Sequence, residues 1–411
     1  MAAHRRRSGL FSGRLVLPQW AYQQPKVRPV RSGVHQWPPP QAARTRVRRR
    51  PRYRVSWRWL FATTAVVVAG AVALIAIVTV AQRNNSPVQS QRSSTGITAT
   101  THAGVSTKAQ QGTSSPATGA ASGIPFGIFD GGPNPQGVAA FAQSTGTRPT
   151  YALDYLPRSA GWASLVAATQ VKAWTNSPYH LILGVPILPG TGTLALGASG
   201  GYNSYFATLA QNLIGDGEAN AILRLAWEFN GNWFTWSVQN KADAANFVQF
   251  WRQIVTTMRA VPGARFKFFW TPNCGGSFDY SAYTPDQTYP GDGYVDYIGS
   301  DVYDNYWGTP FTPEATWNFK LSTQWGLDWL SSFAVVHNKP MGIAEWSTEF
   351  RSDGHGLGDD PSFISEMAAW LVANNAAFSV MFAEDTSSEY RNNILDGTFP
   401  NSLAQFRVDF G

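Results

Sequence analysis

Eight short apolar runs, each closing on polar residues, are spaced through residues 124–411: Phe126–Asp130, Thr150–Asp154, His180–Pro186, Ala221–Glu228, Phe266–Pro272, Tyr297–Tyr303, Met341–Glu345 and Phe378–Ala383. Amphipathic stretches lie between them, among them Gly161–Trp174, Tyr202–Ile214, Ala242–Ala260, Pro313–Val336 and Pro361–Asn374. Strands joined by helical crossovers pair in parallel. Eight such units in 288 residues predict a closed α/β barrel of the (β/α)8 type, the TIM barrel. An open doubly wound sheet is the alternative. It brings a Gly-rich phosphate turn after its first strand, and FGIFDGGPNPQG does not match one.

Charge separates this body from what precedes it. The chain carries a formal +7, yet residues 1–58 hold 15 Arg/Lys and no acid. Residues 59–123 add Arg83, Arg92 and Lys108, leaving 14 basic and all 25 acidic residues, a net −11, in 124–411. An acidic body excludes reading the whole chain as a nucleic-acid-binding domain. From Trp59 to Gln82 there is no charged residue. The apolar stretch Leu60–Ala81 has a helical length of roughly 33 Å, enough for a bilayer core of about 30 Å. Eight arginines between Arg44 and Arg58 precede it, and only Arg83 closely follows. The expectation is a basic Arg/Pro-rich cytoplasmic tail (1–58), disordered, then a single transmembrane helix (59–82) with the body outside the cell membrane. A cleaved signal peptide is the competing reading, although its n-region would be far too long. The tail also offers cations to anionic lipid headgroups. Residues 83–123, rich in Ser, Thr, Gly and Ala, read as a flexible linker, and 124–411 as the folded domain.

The strand ends are chemically loaded: Asp130, Asp154, Glu228, Asn273, Asp301, Tyr303, Glu345 and Glu384. In a barrel these ends converge on the rim where catalytic groups sit. In the segment Ala221–Trp236, strand alternation places Arg224, Ala226 and Glu228 on one face, and Asn230, Trp233 and Trp236 follow. Glu345 closes the apolar run Met341–Ala344. Two glutamates across one mouth suit acid/base and nucleophile roles in glycoside hydrolysis. The competing structural reading is a Glu228–Arg224 ion pair that merely closes the barrel. One cysteine, Cys274, excludes an internal disulfide, and six scattered histidines show no metal-ligand spacing. No metal or cofactor is expected.

These segments resemble glycoside hydrolase family 26, in the clan of retaining (β/α)8 glycosidases. The resemblance is carried by Arg224…Trp236 (R-x-x-x-E-x-N-G-x-W-F-x-W), Trp270-Thr-Pro-Asn273, Tyr289…Tyr303 and the Glu345 strand, and it spans about 124–411. It implies Glu228 as acid/base and Glu345 as nucleophile, with Tyr303 orienting the nucleophile and Trp233 and Trp270 flooring sugar subsites. Arg224, Asn230 and Asp301 are read as further substrate-binding groups, with Asp301 alternatively a network carboxylate or the holder of the strand-6 turn, and Glu349 as a fallback nucleophile. Members are chiefly endo-β-1,4-mannanases, with some xylanases and β-glucanases, so a polysaccharide is the expected partner. The family has His before the acid/base glutamate, associated with recognising mannose; this chain has Trp227. A non-catalytic glycan-binding barrel is the reading from another class.

Two further signals carry less. Gly197–Gly201 matches the nucleophile-elbow pattern but lies in a Gly-rich loop. Asp353…Asp360 lacks the spacing of a calcium loop.

Overall fold

The computed structural model describes residues 123–275 and 282–411. The expected basic tail, transmembrane helix and linker, up to residue 122, lie outside the described residues. Among the described residues no helix is long and apolar enough to cross a membrane.

The expected strands form as β1 (Phe126–Phe129), β2 (Tyr151–Tyr155), β3 (His180–Val185), β4 (Ile222–Leu225), β5 (Lys267–Trp270), β6 (Tyr297–Tyr303), β7 (Met341–Ser347) and, after a two-residue strand β8 (Phe350–Arg351), β9 (Phe378–Phe382). Strands β1 to β7 and β9 close a barrel in chain order, every pair parallel. That order is the (β/α)8 topology, and it excludes the open sheet. Outside the barrel, β8 pairs antiparallel with β10 (Tyr390–Arg391).

The helices are α1 (Pro135–Thr145), α2 (Gly161–Ala167), α3 (Leu194–Ala198), α4 (Asn203–Gly215), α5 (Lys241–Arg259), α6 (Pro313–Ser322), α7 (Leu327–Val336), α8 (Pro361–Ala373) and α9 (Pro400–Phe410). The sequence reading differs in two places. Gly161–Trp174 breaks at Ala168, which is left-handed (φ 44), and continues as a 3-10 turn, Thr169–Ala173. Pro313–Val336 breaks at left-handed Trp325 (φ 63) into α6 and α7. Helix α5 shows why the other stretches hold. Asn240 caps its first turn, accepting from the N–H groups of Ala242 and Asp243 at 2.9 and 3.0 Å. Phe247, Phe250, Trp251, Ile254 and Met258 form one buried stripe against the barrel.

Alternation along the strands makes two cores. Phe129, Leu153, Ile182, Ile222, Phe269, Ala344, Phe378, Val380 and Phe382 fill the barrel interior, and the other face of each strand packs under the helices. Trp270 falls in the outer layer. Phe269 points inward beside Phe378, so its neighbour faces out, where the indole packs on Phe229, Tyr289, Trp325 and Phe333 with no exposed surface. The sugar subsite expected at Trp270 is therefore corrected: this ring has no face left for a ligand.

Strand β7 carries a bulge. Ser300 of β6 faces Ile343, whereas the next residue, Asp301, faces Glu345, so Ala344 is the extra residue on β7. In strict alternation Glu345 would share the outward face of Met341 and Ile343. The bulge turns it inward and leaves Trp346 in the outer core.

Trp270→Ala is expected to destabilise the domain by about 3–5 kcal/mol. Denaturant unfolding checks this, and a loss near zero would contradict the buried placement.

Candidate active site

Strand β4 ends at Leu225, earlier than alternation through Glu228 requires. Two left-handed residues follow, Ala226 (φ 47) and Glu228 (φ 52), a conformation that costs non-glycine residues of order 1–3 kcal/mol each. They bend the chain across the neighbouring strand end, where the Glu228 N–H donates to the Thr271 carbonyl at 3.0 Å. Glu228 thus reaches the mouth from a tight turn, on a different path from Arg224.

Arg224 points into the barrel with no exposed surface, and every guanidinium nitrogen is engaged. Its Nε donates to Thr271 Oγ1 at 2.8 Å, Nη1 to Glu345 and, at 3.3 Å, to the Tyr155 hydroxyl, and Nη2 to Asp301. Ion pairs therefore join Arg224 to Asp301 and Glu345, and none joins it to Glu228. The simple Arg224–Glu228 closure is replaced by this arrangement. Burial opposes the Arg224 charge, but Asp301 and Glu345 outweigh it and hold its pKa well above the ordinary value.

Glu345 receives two further donors. Tyr303 Oη bonds Oε2 at 2.5 Å, and Tyr155 Oη bonds Oε1. Tyr155 stands where Gly184 leaves room, since a Cβ at that glycine would lie 2.4 Å from the Tyr155 ring. On its other side Tyr155 packs against Trp227 at 5.1 Å, and Trp227 against Trp236 at 4.7 Å. The residue in place of the family histidine is thus buried, as a support for a Glu345 donor.

Glu228 has neutral donors only. Asn273 Nδ2 bonds its Oε1 at 2.7 Å and Trp233 Nε1 its Oε2 at 2.8 Å. Asn230 fixes Asn273: its Oδ1 accepts from the Asn273 N–H at 2.7 Å, and its Nδ2 donates to the Asn273 carbonyl at 2.8 Å. The Glu228 pKa is raised to about 7, first by burial and second by the negative charge of Glu345, against the lowering effects of Arg224, Asn273 and Trp233. Burial raises Asp301 as well, opposed by its contact with Arg224.

The structure brings Glu228, Glu345, Arg224, Asp301, Tyr303 and Trp233 together. It corrects three of the expected substrate contacts. Arg224 and Asp301 have no exposed surface, and Asn230, almost fully buried, spends both ends of its amide on Asn273. They hold the two glutamates or their partners in place. Trp233, half-buried on the rim, keeps surface for a ligand. Tyr155 is a site residue that no sequence motif marks, and Thr271 lies in the Trp270–Asn273 motif without an expected role. Tyr155 follows Asp154, which instead faces outward and accepts from Trp174 Nε1 at 2.7 Å.

Glu349 bonds Asn305 at 2.6 Å and lies 3.6 Å from Arg351, in the support of the β8 ribbon, so it is no second nucleophile. Cys274 is buried, with its thiol pushed up to about 11 by burial. Gly197–Gly201 forms the end of α3 and the turn into α4. Among the described residues no group of His, Cys, Asp and Glu is arranged to hold a metal ion.

A family model described as "Glycosyl hydrolase family 26" matches residues 200–321, which include Glu228 and Tyr303 but not Glu345. Endoglucanase H of Acetivibrio thermocellus is 25% identical over 225 residues, 52% of this chain and 22% of that protein. A mannan endo-1,4-beta-mannosidase of Bifidobacterium adolescentis is 29% identical over 156 residues, 37% of this chain and 15% of that protein. The matches thus span under a quarter of the length of these curated relatives. A solved Cellulomonas fimi endo-beta-1,4-mannanase double mutant superposes with a TM-score of 0.51 at 15% identity, covering 72% of this chain and 75% of its own. The family model upholds the family 26 resemblance over residues 200–321, and the solved structure shares the fold.

Asn273→Ala removes a hydrogen bond that favours the ionised form, so the Glu228 pKa is expected to rise above about 7. A function that needs Glu228 protonated would then persist to higher pH. A pH titration of the variant checks the direction, and a downward shift would contradict it.

Proposed function

We propose that residues 124–411 are a glycoside hydrolase of family 26 that cleaves internal β-1,4 bonds of a mannan-like polysaccharide with retention of configuration. The observation that supports it most is the unequal treatment of two glutamates at one barrel mouth. Glu345 is met by a guanidinium and two phenol hydroxyls. Glu228, with neutral donors and the charge of Glu345 nearby, keeps its proton up to about pH 7. A glycan-binding barrel gains nothing from separating two carboxyl groups in this way.

In this reading the Glu345 carboxylate attacks the anomeric carbon while Glu228 passes its proton to the departing glycosidic oxygen, which leaves as the new hydroxyl of the released chain. A glycosyl ester of Glu345 results. Glu228, now a carboxylate, takes a proton from water, the hydroxide oxygen displaces Glu345, and both groups return to their starting states. Asn273, positioned by Asn230, and Trp233 aim the proton donor, while Arg224, Tyr155 and Tyr303 aim the nucleophile and spread its charge. Asp301 keeps Arg224 in place. Mannan is the proposed substrate because the Bifidobacterium relative and the Cellulomonas structure carry mannanase names, and the endoglucanase name of the Acetivibrio relative makes β-glucan the first competitor. The proposed setting is the outer face of the cell membrane, with residues 59–82 as anchor and the basic tail in the cytoplasm, where it can meet anionic lipid.

The wild-type chain is expected to hydrolyse β-mannan in a panel with xylan and mixed-linkage glucan, and the first product seen by NMR is expected to be the β-anomer. Glu228→Gln should lower kcat/KM by about 10²–10⁴-fold, and Glu345→Gln by at least as much. Hydrolysis by neither the wild type nor the variants on any polymer defeats the reading, and an α-anomeric first product defeats the retaining mechanism.

A further inference from the structure

Four residues beyond Tyr303 stands Trp307, more exposed (59%) than any other Trp, Tyr or Phe among the described residues. It does not dangle. The His355 ring stacks on it at 5.0 Å and 25°, and the Arg351 guanidinium lies 5.1 Å from its centroid and 4.8 Å from that of Tyr390. Asp353 holds Arg351 through two bonds of 3.0 and 2.6 Å. The loop bearing Trp307 is stitched to the loop after β8: the Tyr306 N–H donates to the His355 carbonyl at 2.8 Å, and Asn305 bridges to Gly356. Below, Lys320 Nζ donates to Asn305 Oδ1 at 2.9 Å. With the His355 and Arg351 contacts made, Trp307 still keeps 59% of its surface open to solvent.

We propose that Trp307, on its His355–Arg351 pedestal, is a stacking platform for a pyranose ring of the polysaccharide lying several units from the bond that is cut. This rests on the hydrolase reading and adds a binding subsite to it. Trp307 follows the strand whose Tyr303 contacts Glu345, and four residues of chain keep its Cα within about 14 Å of that of Tyr303. The Asp304 N–H on the Ser347 carbonyl, at 3.1 Å, keeps both loops on one rim. A pyranose offers an apolar C–H face to the indole and hydroxyls to the exposed carboxylate of Asp353 beside it, so this single ring amid polar groups suits a sugar better than an extended apolar protein surface.

The test is calorimetric titration of mannotriose and mannohexaose into full-length Glu228→Gln protein with and without Trp307→Ala. The expected result is an affinity for the hexasaccharide that falls about tenfold, at least fivefold more than that for the trisaccharide, with Trp307→Phe restoring most of it. Equal losses on both, no loss on either, or binding of neither sugar overturns the platform. Wild-type hydrolysis of mannan, assayed alongside, judges the hydrolase reading separately, because the binding titrations do not require turnover.

Discussion

One fully buried guanidinium, Arg224, governs this barrel mouth. It is in contact with Asp301 and Glu345, with Glu228 close enough for its charge to matter, so three carboxyl groups share one cation. Inside a protein such an imbalance is expensive, and burial favours the protonated form of both Glu228 and Asp301. Asp301 and Glu345 have the direct contacts. Glu228 has two neutral donors and a neighbouring negative charge, which is the condition of a proton donor working near neutral pH. Deleting Arg224 while leaving its partners would strand buried charge, at a cost of about 3–5 kcal/mol.

The backbone supplies what alternation alone cannot. A bulge at Ala344 turns Glu345 from the helix-facing side of β7 into the barrel. The left-handed residues Ala226 and Glu228 stop β4 short and carry Glu228 past Thr271. Both departures from regular strand geometry fall at the chemically loaded positions, while Ile222, Phe269 and Phe378 keep strict register in the interior beneath.

The same division explains what the sequence discloses. All eight barrel strands were legible because burial on both faces makes continuous apolar runs, and the parallel order follows from the helices between them. Glu228 and Glu345 could be singled out as polar terminators of such runs. The directions of their neighbours could not. Trp270 looked like a rim aromatic, yet one residue of phase puts it under the helices. Arg224, Asn230 and Asp301 are the right polar residues in the right segments, but whether a polar group meets substrate or another side chain is decided by distant partners, 43 positions away for Asn230–Asn273 and 121 for Arg224–Glu345. Tyr155 escaped notice because its function depends on the space left by Gly184 across the sheet, which no local pattern records.

Protonation at the mouth is the central claim, and it can be read directly. NMR titration of the ¹³C-labelled carboxyl of Glu228 should give a pKa of about 7 in the wild-type chain and a lower value in Glu345→Gln, because the variant removes the negative charge that helps hold the proton. A Glu228 pKa that stays the same or rises in that variant would contradict it.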